Sequence, residues 1–129
     1  MEITSEDAAH PIESALLPGP APGWRAAVPG KQTIRLLFAH PQRLQRIWLN
    51  FEEPLTERTQ EYILRWSPDG GQSFREIVRQ QWNFSPHGAT SEVEEHRVEL
   101  PAVTMLELHI TPDIGGKNAF ASLAQLRLA

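Results

Sequence analysis

The stretch Gln60–Arg79, QEYILRWSPDGGQSFREIVR, decides the fold. Tyr62, Leu64 and Trp66 alternate with Ile63 and Arg65, the period of two that a strand with one buried face shows. The cluster Ser67-Pro68-Asp69-Gly70-Gly71 then supplies turn chemistry, because glycine takes φ > 0 without strain. A second extended run opens at Phe74. The pattern predicts a β-hairpin, 59–66 against 74–81, and therefore an all-β class.

The same punctuation recurs on both sides. Ile34, Leu36 and Phe38 alternate, and Pro41 interrupts. From Leu44 to Phe51, Ile47, Leu49 and Phe51 share one face while Trp48 and Asn50 take the other. Glu52-Glu53-Pro54 ends that run, and 83–90 (NFSPHGAT) reads as a loop. Val93–Leu100 and Met105–Ile110 are two further strands, with Leu106, Leu108 and Ile110 marking a buried face. If these two pair, a connection at Pro101-Ala102-Val103 sets Val98 opposite Leu106, Arg97 opposite Glu107 and Glu95 opposite His109. The alternative places them in opposite sheets. Pro112–Lys117 is a loop and Ser122–Leu128 closes the chain as a strand. Seven or eight short strands, no convincing helix and no internal repeat predict an antiparallel jelly-roll β-sandwich of about eight strands.

Composition bounds the function. The 129 residues predict one domain, large enough to bury a core without staples. Two parts are expected, a proline-rich arm over 1–23 and a sandwich domain over 24–129. Pro11, Pro18, Pro20 and Pro22 deny the arm helix and ladder pairing, and Leu16 and Leu17 are expected to dock it on the body. With no cysteine there is no disulfide and no thiolate metal site. The opening MEITSEDAAHPIES is acidic without an apolar core, so no export signal is expected and a cytoplasmic placement follows. No apolar run approaches the ~20 residues that span a bilayer. The net charge is −4, unevenly spread: residues 24–90 carry nine bases against six acids. Ten of the twelve bases are arginine, suited to planar polar partners and equally a habit of GC-rich genomes. Nucleic acid is not an expected partner, since the chain lacks the overall basic footprint. A monomer is expected, with an exposed sheet edge as the route to a dimer.

A resemblance rests on these residues. Gln32-Thr33-Ile34-Arg35-Leu36, then Leu44-x-x-Ile47-x-Leu49, then Tyr62-x-Leu64-x-Trp66-Ser67-x-Asp69-Gly70-x-x-Ser73-Phe74 resembles the discoidin, or coagulation-factor type C, domain. Leu106-Glu107-Leu108-His109-Ile110 is similar to its late strand. The likeness spans roughly 24–129, and its Ser-x-Asp-Gly hairpin is the most specific part. It implies a galactose-binding-like jelly roll that is not an enzyme and binds sugars, lipid head groups or proteins through loops at one end. The chain departs from secreted members in lacking their cysteine pair, and no apolar lipid-binding spike is recognised in it. The calcium site of many relatives maps onto no specific residue, so no cofactor is assigned.

The segment Arg79–Gly88, RQQWNFSPHG, is the leading candidate site. A flat ring covers the C–H face of a pyranose, while amides and arginine pair with hydroxyls. Trp82 would stack, and Asn83 and His87, supported by Arg79 and Arg58, would hydrogen-bond. Against this, the i, i+2 spacing of Trp82 and Phe84 also suits two rings plugging one end of the sandwich. Arg58 and Gln60 line the same end or, as the favoured reading, form a solvated strand edge. Trp48 is covered by the arm or stands on an exposed sheet face. Glu92, Glu94 and His96 share one strand face, more simply a salt-bridged strand than a metal site. His10, His40, His87, His96 and His109 show no ligand spacing. No nucleophile elbow, zinc-protease helix or phosphate loop is present, so no catalytic residue is named. The sequence thus predicts a non-catalytic module binding carbohydrate or another small polar ligand through end loops. The alternative is an intracellular protein-interaction module of the same fold.

Overall fold

The computed structural model describes residues 1–17 and 22–129. Its elements are β1 (Glu2–Ile3), the single-turn helix α1 (Glu13–Leu16), β2 (Trp24–Arg25), β3 (Gln32–Glu52), β4 (Arg58–Ser67), β5 (Arg75–Phe84), β6 (Ser91–Thr111), β7 (Ser122–Leu123) and β8 (Gln125–Leu128). Pairing is antiparallel throughout. The main sheet runs β1-β3-β6-β4-β5 with β8 also on β3, and β2 pairs β7 separately.

Two 21-residue strands, β3 and β6, organise everything else. Straight, each would reach roughly 70 Å at the usual rise per residue. A domain of this size has a radius of gyration of about 14 Å, so both must bend. The bend falls where their ladder slips, between Leu37 and Arg46. Pro41, which has no N–H to donate, lies in that interval. Residues 32–37 pair with 105–110 beside β4 and β5, forming the front layer. Residues 46–52 pair with 91–97 and with β8, forming the back layer. The layers meet where Phe51 stacks on Tyr62, ring centroids 5.2 Å apart. Ile47, Leu49 and Phe51 from the back and Tyr62, Leu64, Leu106 and Leu108 from the front close the core between them. Each such side chain, fully buried, is worth about 1.5–3 kcal/mol.

The hairpin forms as expected, with Leu64 opposite Val78 and Trp66 opposite Arg75. Its turn is tied by Asp69, which accepts from Ser67 Oγ at 2.7 Å, Ser73 N–H at 2.9 Å and Ser73 Oγ at 2.6 Å. Hydrogen bonds from Ser73, then Ser67, hold the Asp69 carboxyl down at about 2. Gly70 and Gly71 take φ of 72° and 95°.

Three expectations need correction. Residues 91–111 are one bent strand, so the predicted hairpin turn at Pro101-Ala102-Val103 is absent and the opposite-sheet alternative holds. None of those three residues has the positive φ that a tight hairpin turn uses. Glu107 therefore lies opposite Arg35 and Arg65, not Arg97, and Glu95 lies opposite Trp48, not His109. Asn83 and Phe84 belong to β5, not to a loop, because they pair with Thr59 and Arg58. In the arm, helix and ladder form against expectation, α1 as a single turn and β1 paired to β3, and Leu16 packs on the core as expected but Leu17 is exposed. Ile12 and Ala15 are buried in the arm, and Trp24 is buried beside them with its indole N–H donating to the Ser5 carbonyl at 3.0 Å. Pro18 and Pro20 of the arm lie outside the described residues.

Candidate functional site at the loop end of the sandwich

Three connections converge at one end: 53–57 between β3 and β4, 85–90 between β5 and β6, and 112–121 after β6. Between them is a cleft of about 490 Å³ lined by Glu57, Arg58, Thr59, Asn83, Phe84, Ser85 and the 113–117 turn. Its walls start on strand ends, which holds them rigidly.

Arg58 opens β4 with its side chain wholly buried. Its Nε donates to Glu53 Oε1 at 2.9 Å, and Nη1 donates to Gln60 Oε1 at 3.1 Å and to the Pro112 carbonyl at 2.9 Å. The guanidinium lies 4.8 Å from the Phe84 ring centre. Nη2 is buried without a protein partner among the described residues. One arginine thus ties the 53–57 and 112–121 connections to the adjoining ends of β4 and β5. Asp113 does the same for the third connection. It accepts from Thr59 N–H at 3.0 Å and Lys117 N–H at 2.8 Å, which hold its carboxyl below the usual range. Lys117 reaches across to the Glu57 carbonyl at 2.7 Å and pairs with no carboxylate among the described residues. Asn83 Oδ1 accepts from Thr59 Oγ1 at 2.7 Å, and its amide N–H groups keep no protein partner among the described residues. The cleft therefore offers an amide, an ammonium and hydroxyls to a ligand, with Ile114 (49 % exposed) as an apolar edge.

Of the five predicted site residues, Asn83 and Arg58 line this cleft. Arg58 and Gln60 are buried, 2 % and 0 % exposed, so the reading of a solvated edge is overturned. Their hydrogen bonds to Glu53, Pro112 and Glu92 are what permit the burial. His87 is exposed in the turn at 85–89, outside the cleft lining. Trp82 is half-buried against the core, opposite Gln60, with its indole nitrogen buried, and Phe84 is fully buried. Both rings face inward. Arg79 lies four residues from Asn83 along β5, about 13 Å, paired with Glu61 and Glu76.

Sequence reasoning missed Asp113, Ile114 and Lys117. Asp113-x-Gly115-Gly116 carries the same turn chemistry as Asp69-Gly70-Gly71 and was a usable signal. It also recognised no apolar tip, whereas Leu55 stands 83 % exposed on the 53–57 connection. On the inward face of β6, Gln60 donates to Glu92, Gln80 donates to Glu94, and Tyr62 meets His96. Among the described residues no group of three or more His, Asp or Glu is placed to hold a metal ion.

No protein-family model matches the chain, and no curated protein does. Solved structures do. A carbohydrate-binding module of family 32 from AlyQ, in complex with 4,5-unsaturated mannuronic acid, superposes with a TM-score of 0.71 at 12 % identity, covering 99 % of this chain and 92 % of that one. The family 32 module of Clostridium perfringens NanJ, in complex with galactose, gives 0.64 at 17 % identity, over 98 % and 90 %. A pectin-binding module gives 0.67 at 13 % identity, over 98 % and 86 %. The architecture is thus the discoidin-type, galactose-binding-like jelly roll. At these identities the likeness is one of fold.

Proposed function

We propose that this chain is a non-catalytic carbohydrate-binding module that takes its ligand in the cleft at the loop end. The observation that carries the reading is Asn83, an amide with unused N–H donors held on a strand end beside Lys117 and Thr59. Sugar hydroxyls need donors and acceptors at fixed positions, and such groups on rigid elements supply them. Neighbouring folds crystallised with galactose and an unsaturated uronic acid support it. In this reading Asn83 and Lys117 touch the ligand, His87 stands at the rim, and Arg58 positions the walls. Trp82 braces β5 from behind rather than stacking on a sugar, and Arg79 stands apart.

The test is calorimetric titration with galactose, uronic acids and glucosamine oligomers. One saturable ligand is expected, weakened at least tenfold in Asn83→Ala with an unchanged melting temperature. Binding that survives both Asn83→Ala and Lys117→Ala moves the site elsewhere.

A second reading, an intracellular protein-interaction module, draws on Leu55 and Ile114. Both are exposed apolar side chains on connections at this end. It predicts silence across the sugar panel and loss of a protein partner in Leu55→Asp.

A further inference from the structure

The outer face of the back layer lies away from the loop-end cleft and has its own chemistry. Arg46 and Trp48 of β3, Glu95 and Arg97 of β6 and Arg127 of β8 all project from it, since their neighbours Ile47, Leu49, His96 and Leu126 turn inward. Trp48 is in register with Glu95 on one side and Arg127 on the other. The Arg127 guanidinium lies 5.5 Å from the Trp48 ring centre and pairs with no acid among the described residues. Arg46 and Arg97 share one carboxylate, Glu95, at 3.0 and 3.6 Å. Three guanidiniums against one carboxylate leave +2 around Trp48, on a chain of net charge −4. The next carboxylate along β3, Glu52, stands four residues from Trp48, about 13 Å. Arg46 and Arg97 also line a cleft of about 520 Å³ with Gln45, Val98, Glu99 and Ala129, where Glu99 is paired with Arg43 at 3.4 Å.

We infer that this face binds an extended, carboxylate-bearing polysaccharide, at a site separate from the loop-end cleft. An arginine carried on an aromatic ring is held flat, and its fork matches the two oxygens of a carboxylate. Arg127 and Arg46 are diagonal neighbours across β8 and β3, which sets them roughly 7–8 Å apart at the backbone. Single charges repeated along a sugar chain suit that spacing. A nucleic acid would need a wider basic footprint. A protein partner would need a desolvated apolar centre, and Val93 is the one large apolar side chain exposed on this face among the described residues.

The experiment is affinity electrophoresis and calorimetry with polygalacturonate and its fully methyl-esterified form, at low and at physiological salt. The acid form is expected to bind and to weaken with salt, and the ester to bind at least tenfold more weakly. Arg97→Gln with Arg127→Gln, both exposed, should lose at least tenfold, and Trp48→Leu should lose severalfold by releasing Arg127. Asn83→Ala with Lys117→Ala should change binding less than twofold, which separates this face from the loop end. Equal binding of acid and ester, wild-type silence at low salt, or an unaffected arginine pair variant would overturn the inference. So would polyglutamate binding as tightly as polygalacturonate with the same dependence on both arginines, since the face would then read charge alone.

Discussion

Tyr62 Oη and His96 Nε2 meet at 2.7 Å across the two layers. Burial lowers the His96 pKa and raises that of Tyr62, so near neutral pH the phenol donates to a neutral imidazole. With Gln60–Glu92 and Gln80–Glu94 it makes a row of polar links joining the first half of β6 to β4 and β5. The edge of the sandwich there is sealed by hydrogen bonds rather than by apolar packing. Tyr62→Phe keeps the stack on Phe51 and leaves the ring nitrogen without its donor. It should cost about 1–2 kcal/mol, read from the urea midpoint at pH 7.5.

Glu92 opposes the fold as pH rises. Burial first, then the hydrogen bond and charge of Glu94, push its carboxyl up to about 8. The folded chain keeps this proton up to about pH 8, whereas the unfolded chain releases it near 4.5. Between those values the folded state binds more protons, so the contribution to stability falls as pH rises and levels off above 8. Glu92→Gln keeps the shape without the ionisation. Its stability relative to wild type should increase from pH 5 to pH 8, reaching the order of 2 kcal/mol. A flat difference across that range would show that Glu92 does not carry the dependence.

Glu107 works in the other direction. Burial raises its pKa, but hydrogen bonds from His109, Arg65 and Arg35 outweigh that and leave it lowered. Its contribution is present above the unfolded carboxylate pKa near 4.5 and is lost as pH falls through the lower folded value. Glu107→Ala should cost about 2–3 kcal/mol at pH 7, below the usual penalty for breaking a buried pair, because the bases are a third exposed and can turn to water. The deficit should shrink below pH 4 in parallel melting curves.

Arg58 ties stability to the cleft. Arg58→Lys keeps the charge but not the fork that reaches Glu53, Gln60 and Pro112 together. A loss of about 2–4 kcal/mol is expected, with weaker sugar binding at the loop end. Full affinity in a destabilised Arg58→Lys would show that the walls hold without this residue.

The hairpin was legible because every part of its instruction is local. Alternation over 62–66 matches the pleat, and Ser67, Asp69, Gly71 and Ser73 bond within a few residues of one another. Asn83 was singled out by the same local reading, and the structure sets it at the end of β5 in the cleft lining. The rest of the site was not. Asp113 and Lys117 act on Thr59 and Glu57, more than fifty residues away, and no periodicity announces that meeting.

By itself the sequence determined the alternating runs and the turn that defines the class, since backbone sterics and side-chain alternation act between near neighbours. Only the tertiary structure decided that β3 and β6 each bend through both layers, that Arg58 and Gln60 are buried, and that Trp82 turns inward. Those outcomes depend on which distant groups satisfy a buried charge or amide. Arg58 leaves water only because Glu53, Gln60 and the Pro112 carbonyl arrive together from three parts of the chain.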